Sequence, residues 1–266
     1  MSARRAAVLG SPIAHSRSPQ LHLAAYRALG LEGWTYDRIE CTADELPHLV
    51  SGFGPEWVGV SVTMPNKFAA LSFADEHSRR AELVGAANTL VRTPTGWRAD
   101  NTDIDGVIGA LGTAAGHAVV VGSGGTAPAV VVGLVELGAK RITVVARDRE
   151  KVAAVVELAA AVGADARWCD INGDDVASVV ASADAVVNTV PAEVAARYAN
   201  VLSATPILLD AIYDPWPTPL AAAVEEAGGR VISGLEMLLN QAYAQVEQFT
   251  GLAATKEAMR AAAYRD

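Results

Sequence analysis

From about residue 117 the sequence alternates short apolar runs with alanine-rich stretches of helical period. The runs are Ala118–Val121, Arg141–Ala146, Ala166–Trp168, Ala183–Asn188, Pro206–Asp210 and Arg230–Ile232. Helical patterns lie between them, near 126–137, 149–162, 174–181, 192–198 and 218–227. Runs that stay apolar, rather than alternating with polar residues, belong to strands buried on both faces. With helices between them they predict a parallel sheet covered on both sides. Six strands in that rhythm predict a doubly wound Rossmann-type nucleotide-binding domain.

The first hundred residues have more polar loops. Strands are predicted at 5–9, 34–40, 57–62, 86–91 and 96–100, with helices near 19–29, 43–50 and 75–83. The polar bridge Ala99-Asp100-Asn101-Thr102-Asp103 leads into a short helix, Ile104–Leu111, and marks a boundary. The pattern therefore gives a first α/β domain over 1–103 and a Rossmann domain over 104–235. The final amphipathic stretch, Leu235–Phe249, begins a set of helices over 236–266 that is expected to return to the first domain and close a cleft.

Composition narrows the possible partners. A length of 266 residues suits two modest α/β domains, and 51% hydrophobic residues can fill their cores. A net charge of −9 argues against nucleic acid or an anionic membrane as the main partner, while leaving room for a small anionic substrate at a locally positive site. No apolar run reaches membrane-spanning length, and the stretch after Arg4 and Arg5 is too short for a signal peptide. Cys41 and Cys169 are too far apart to read as a disulfide framework or a metal site, which points to a reducing cytoplasm. None of the five histidines forms an HExxH pair, so no metal is expected. Monomer and homodimer both remain open.

The segment Val119-Val120-Val121-Gly122-Ser123-Gly124-Gly125-Thr126-Ala127-Pro128 passes from a predicted strand into a predicted helix. Glycines in such a turn let the backbone approach a pyrophosphate, and the helix N-terminus offers oriented N–H groups. Residues Gly122 to Ala127 are therefore candidate cofactor ligands, although the spacing is not the usual GxGxxG. The next strand ends Ala146-Arg147-Asp148-Arg149. An NAD-type site places an acid there to hold the ribose hydroxyls, whereas alanine followed by two arginines suits a 2′-phosphate. The expectation is NADP, with Arg147 as a ligand; Asp148 between the arginines keeps NAD open.

Only four of the 21 basic residues are lysines, and Lys67 follows the apolar strand Trp57–Thr63 and the turn Met64-Pro65-Asn66. A lysine can give and take a proton, and an arginine cannot. Lys67 is thus either a solvated residue at a loop start or a proton donor. Ser18 before Pro19 reads as a helix N-cap and first helical residue.

Several ordered segments cover nearly the whole chain: Gly10-Ser11-Pro12-Ile13-Ala14-His15-Ser16-Arg17-Ser18-Pro19, Ser61-Val62-Thr63-Met64-Pro65-Asn66-Lys67, Gly85-Ala86-Ala87-Asn88-Thr89, Asn101-Thr102-Asp103, the glycine-rich loop, Tyr213, and Gly234-Leu235-Glu236-Met237-Leu238-Leu239-Asn240-Gln241. Together they resemble the shikimate dehydrogenase family. The resemblance implies NADPH-dependent, reversible reduction of 3-dehydroshikimate to shikimate, on the way to chorismate and the aromatic amino acids. It also makes the first domain the substrate-binding catalytic one.

By the same resemblance Lys67 and Asp103 are catalytic. Ser16, Ser18 and Tyr213 meet the substrate carboxylate, while Thr63, Asn88, Gln241, Lys67 and Asp103 meet its hydroxyls. Thr189, Ile212 and Gly234 join the cofactor residues on the nicotinamide side. Leu23 and Asp148 depart from the family's pattern. Three alternatives remain: a quinate/shikimate dehydrogenase preferring NAD; a non-catalytic shikimate-binding regulator, against which the Lys67 and Asp103 pair argues; and another two-domain dehydrogenase, acting on folate or amino acids, which would not need the Ser16, Ser18 and Asn88 set.

Overall fold

The computed structural model describes residues 3–113 and 116–265; positions 1, 2 and 266, at the outer limits of the expected domains, lie outside them. The chain divides into two compact units. One comprises the residues up to Thr102 and those from Leu238 onward; the other is Asp103–Met237.

The first unit carries strands β1 (Arg4–Gly10), β2 (Trp34–Glu40), β3 (Trp57–Val62), β4 (Glu76–His77), β5 (Thr89–Thr93) and β6 (Gly96–Asp100) in one sheet of order β2-β1-β3-β5-β6-β4. Strand β1 pairs in parallel with β2 and β3, whereas β5 runs antiparallel to β3 and β6. The carboxyl ends of β1 and β3 therefore share an edge with the start of β5. Ala7 and Leu9 of β1, Val60 and Val62 of β3, Leu90 and Trp97 form one continuous core. The segment of this unit before Asp103 carries the helices α1 (Ser18–Ala28), α2 (Leu46–Ser51), α3 (Lys67–Phe73) and α4 (Arg79–Val84).

Three local readings of this part are corrected. Lys67 does not start a loop; it is the first residue of α3. That helix buries only Ala70, so it carries no apolar stripe to announce it. The strand expected from residue 86 begins at Thr89, because the Ala87 N–H turns to the Lys67 carbonyl (2.9 Å) and the Ala86 carbonyl to the Asn101 amide (2.9 Å). Ser18 is not the N-cap but the first residue of α1, and Arg17 occupies the cap position without a side-chain bond. The hydroxyl that meets this helix start is Ser16 Oγ, which accepts from the Ser18 N–H at 3.3 Å. A serine accepting from the N–H two residues on makes a local turn that competes with capping.

The second unit holds β7 (His117–Val121), β8 (Arg141–Ala146), β9 (Asp165–Asp170), β10 (Ala185–Asn188), β11 (Ile207–Asp210) and β12 (Arg230–Ser233). Their order, β12-β11-β10-β7-β8-β9, is parallel throughout, the doubly wound arrangement that the apolar runs predict. Helices α5 (Asp103–Leu111), α6 (Ala127–Glu136), α7 (Arg149–Ala161), α8 (Val176–Ala181), α9 (Ala192–Ala195), α10 (Ala199–Leu202) and α11 (Pro219–Glu226) accompany them. Along β7, Ala118 and Val120 enter one core and Val119 and Val121 the other. Each fully buried valine contributes roughly 1.5–3 kcal/mol, which is why this strand tolerates no polar face. The division between the units falls within α12 (Gly234–Thr250), and α13 (Lys256–Ala263) packs on α1.

Candidate active site

In the first unit the candidate residues gather at the edge where β1 and β3 end and β5 begins. Gly10 closes β1 so tightly against the residue after β3 that a Cβ there would lie 2.5 Å from Thr63 Cγ2. Thr63 is fixed by its own N–H, which donates to the Leu9 carbonyl at 2.9 Å. Lys67 stands half-buried four residues further on. Asn66, fully buried, anchors the intervening turn through Nδ2 to the Cys41 carbonyl at 2.7 Å.

Ser16 and Ser18 are both buried, and Arg38 Nε donates to the Ser16 carbonyl at 2.8 Å. The loop expected to receive a carboxylate is thus held by a guanidinium that sequence reasoning missed. Its signal was an arginine on β2, in the strand next to β1.

Asn88 and Gln241, distant in sequence, meet side chain to side chain: Asn88 Nδ2 donates to Gln241 Oε1 at 3.2 Å. Asn88 Oδ1 is already engaged, accepting from the Thr102 N–H at 2.8 Å and from Thr89 Oγ1 at 2.8 Å. These acceptor duties identify the oxygen of the amide, so its Nδ2 is the group presented to Gln241. Below this layer Asp100 takes both Arg80 Nε and Nη2 at 2.6 Å, Ser78 Oγ at 2.6 Å and Gln248 Nε2 at 2.7 Å. Burial opposes the charge on Asp100, but the Arg80, Ser78 and Asn101 contacts together prevail and bring its carboxyl down to about 2.

In the second unit, Gly122 follows β7 with φ 106°, where a side chain would be strained. A Cβ at Gly122 would also lie 2.6 Å from Thr189 Oγ1, whereas one at Gly124 would meet nothing within 4 Å. The loop is therefore packed behind and open in front. Gly122, Ser123 and Gly124 line a cavity of about 420 Å³ with Arg147, Asp148 and Lys151. Ten-residue α6 begins just beyond, with Pro128 in its first turn. Backbone N–H groups at a helix start and two cations at the far rim fit a dinucleotide carrying an extra phosphate.

Two sequence expectations are refined here. Arg149 is not among the cavity residues; its guanidinium lies 5.7 Å over the Trp168 ring. Lys151, which no sequence motif marks, takes the second cationic position on the cavity lining. Asp148 caps α7, its Oδ1 accepting from the Glu150 and Lys151 N–H groups at 3.0 and 3.3 Å, and its Oδ2 lies 3.6 Å from Lys151 Nζ. These contacts, the Lys151 N–H first, hold its carboxyl below the ordinary value.

The remaining cofactor candidates are not on the cavity lining. Thr189 Oγ1 donates to the Val121 carbonyl at 2.8 Å, behind the glycine turn. Gly125, Thr126 and Ala127 carry the chain into α6, with the Ala127 N–H on the Gly124 carbonyl at 3.0 Å. Ile212 and Gly234 adjoin one another, the Gly234 N–H donating to the Ile212 carbonyl at 3.2 Å, and a Cβ on Gly234 would overlap the Ala211 carbonyl. Tyr213 follows in the same loop, half-buried, and Asp103 is the buried first residue of α5. Among the described residues no group of three His, Cys, Asp or Glu could hold a metal ion, and no helix is long and apolar enough to cross a membrane.

Comparison with known proteins bears on what this arrangement serves. Residues 8–90 match the shikimate dehydrogenase substrate binding domain, and residues 234–264 match the shikimate 5′-dehydrogenase C-terminal domain. The shikimate dehydrogenase (NADP(+)) of Methylobacterium radiotolerans is 37% identical over 263 residues, covering 93% of this chain and 91% of that one. The chain belongs to the shikimate dehydrogenase family. Solved structures agree: the Mycobacterium tuberculosis shikimate dehydrogenase is 71% identical with a TM-score of 0.96, covering 98% of each chain. A more distant member of the family, the shikimate 5-dehydrogenase of Thermus thermophilus in complex with NADP(H) and shikimate, is 29% identical over 98% of each chain with a TM-score of 0.82. The two-domain α/β architecture of the shikimate dehydrogenases, with its Rossmann domain, is thus the architecture of this chain.

Proposed function

We propose that the protein is an NADP-dependent shikimate dehydrogenase, an oxidoreductase that interconverts 3-dehydroshikimate and shikimate. The observation that carries this reading is the phosphate cradle of Gly122, Ser123 and Gly124 with Arg147 and Lys151 at its rim, in a chain of this family. NADPH, when bound, supplies the hydride. The residues up to Thr102, completed by those from Leu238, form the substrate domain, and the intervening Rossmann unit holds the cofactor.

Ser16 and Ser18 receive the substrate carboxylate, with Tyr213 assigned to the same group. Thr63, Asn88 and Gln241 meet the ring hydroxyls. Asn88 does so through Nδ2, exchanging its bond to Gln241 Oε1 (3.2 Å) or Thr102 Oγ1 (3.0 Å) for one to the substrate while its oxygen stays engaged. A ketone that accepts hydride leaves negative charge on its oxygen, and Lys67 Nζ gives that oxygen its proton; in the reverse direction it takes the proton back. Asp103 is the carboxylate partner in this chemistry. Gly122 to Ala127, Arg147, Thr189, Ile212 and Gly234 serve the cofactor, and Lys151 joins Arg147 at the 2′-phosphate. Cys41 and Cys169 are buried thiols, which suits a reducing cytoplasm.

The NAD-preferring alternative would need Asp148 to hold ribose hydroxyls. Its carboxylate is instead committed to the start of α7 and to Lys151. The test is NADPH formation from shikimate and NADP by the purified protein, compared with NAD and with quinate. A higher kcat/KM with NAD, or with quinate, would overturn the assignment.

A further inference from the structure

Behind Asn88 runs a chain of buried side-chain hydrogen bonds that no site assignment above uses. Tyr36 OH donates to Ser61 Oγ at 2.6 Å, and Ser61 Oγ donates to Gln245 Oε1 at 2.6 Å. On the other side of the same amide, Gln245 Nε2 donates to Thr89 Oγ1 at 2.9 Å and to the Asn88 carbonyl at 3.1 Å. Thr89 Oγ1 in turn donates to Asn88 Oδ1 at 2.8 Å. Every member is buried: Tyr36 is 3% exposed, Ser61 4%, Gln245 1% and Thr89 0%.

The chain has a direction. A hydroxyl has one proton to give, so Ser61 can donate to Gln245 only while it accepts from Tyr36. Thr89 can donate to Asn88 only while it accepts from Gln245. Hence the Gln245 amide, acting through Thr89, reinforces the orientation of the Asn88 amide that the Thr102 N–H, at 2.8 Å from the same oxygen, also favours. At the other end Tyr36 lies on β2, two residues before Arg38, whose Nε holds the Ser16 carbonyl at 2.8 Å, so the chain begins beside the serine pair. A satisfied buried network of this kind specifies one arrangement, because any reversal leaves a buried donor facing a donor.

We propose that Gln245 is a positioning residue for substrate binding, which through Thr89 holds the Asn88 amide with its N–H group toward the substrate and through Ser61 and Tyr36 ties that orientation to the Ser16–Ser18 loop. This rests on the assignment of Asn88 to a substrate hydroxyl. Gln245 itself touches no substrate. Removing it leaves the Asn88 oxygen held by Thr102 alone, so the amide is held less firmly in the orientation that meets the substrate.

The experiment compares Gln245→Met, Thr89→Val and the double variant in steady-state kinetics, with thermal melting of each. Each single variant is expected to raise KM for shikimate about tenfold, since a buried bond is lost without change of shape, while KM for NADP stays at the wild-type value. Because both act through one bond path, the double variant should be no worse than the worse single one. Wild-type KM in both singles, or single effects that multiply in the double, would overturn the proposal. If Gln245→Met does not fold, Ser61→Ala, which deletes only the hydroxyl feeding Gln245, must raise the same KM, and an unchanged KM would overturn it too. A wild-type protein that forms no NADPH from shikimate removes both the function and this inference, whereas an active wild type with unaffected variants removes Gln245 alone.

Discussion

Protonating His22 would place a cation between the rings of Tyr36 and Phe249, whose centroids stand 4.0 and 5.7 Å away, with no acceptor among the described residues at hydrogen-bonding geometry for either ring nitrogen. Burial pushes its imidazole down to about 3, and the neighbouring Gln245 side chain offsets this only in part. A base with a depressed folded value is protonated more readily when unfolded, so stability is complete at neutral pH and falls with pH through the window from about 6.5 to about 3. At about 1.4 kcal/mol per pH unit, the loss from His22 by pH 4 is about 3 kcal/mol. His117, lowered by burial as well, acts in the same direction, so the difference between wild type and His22→Phe isolates the effect. Denaturant melts of the two proteins should diverge in pH dependence, and parallel curves from pH 7 to 4 would refute it. For Lys67→Met, kcat is expected to fall by about 10²–10⁴ with little change in KM, as suits a group acting in the transition state. Stopped-flow or steady-state assays showing wild-type kcat would remove Lys67 from the chemistry. The lysine was legible in the sequence as a rare cation at a strand end; Gln245 and Arg38 were not, because nothing in their own neighbourhoods distinguishes them from surface residues.

At the level of elements, the start of α7 separates two cations. Its first turn directs Lys151 to the cavity and leaves Arg149 over Trp168, so the two cations should differ sharply on substitution. Lys151→Glu is expected to raise KM for NADP at least about tenfold and to leave KM for NAD nearly unchanged, while Arg149→Glu should affect neither strongly. Equal effects of the two variants would contradict this division of labour. The strands of the Rossmann sheet were readable because each is an unbroken apolar run bounded by turns. Helix α3 was not, since Lys67–Phe73 buries a single alanine, and neither was β4, whose two residues are both exposed. Ser18 was misplaced by one register because two serines flank Arg17, and only the geometry shows that Ser16 Oγ meets the helix start.

For the molecule as a whole, the α/β class and the Rossmann order followed from periodicity, and the family followed from a handful of motifs in a fixed sequence. What the motifs could not convey is how the substrate domain is supported behind its ligands, since the Tyr36–Ser61–Gln245–Thr89 path joins residues up to 184 positions apart in the chain. Such a path exists only once β2, β3, β5 and α12 are assembled. The substrate domain is also discontinuous, its last segment starting at Leu238 after the complete Rossmann unit. A ribosome therefore finishes the cofactor-binding half while the other half still lacks Gln241, Gln245 and the helix that packs on α1. During synthesis the nascent chain passes through a stage in which one unit is complete and the other still lacks its last helices.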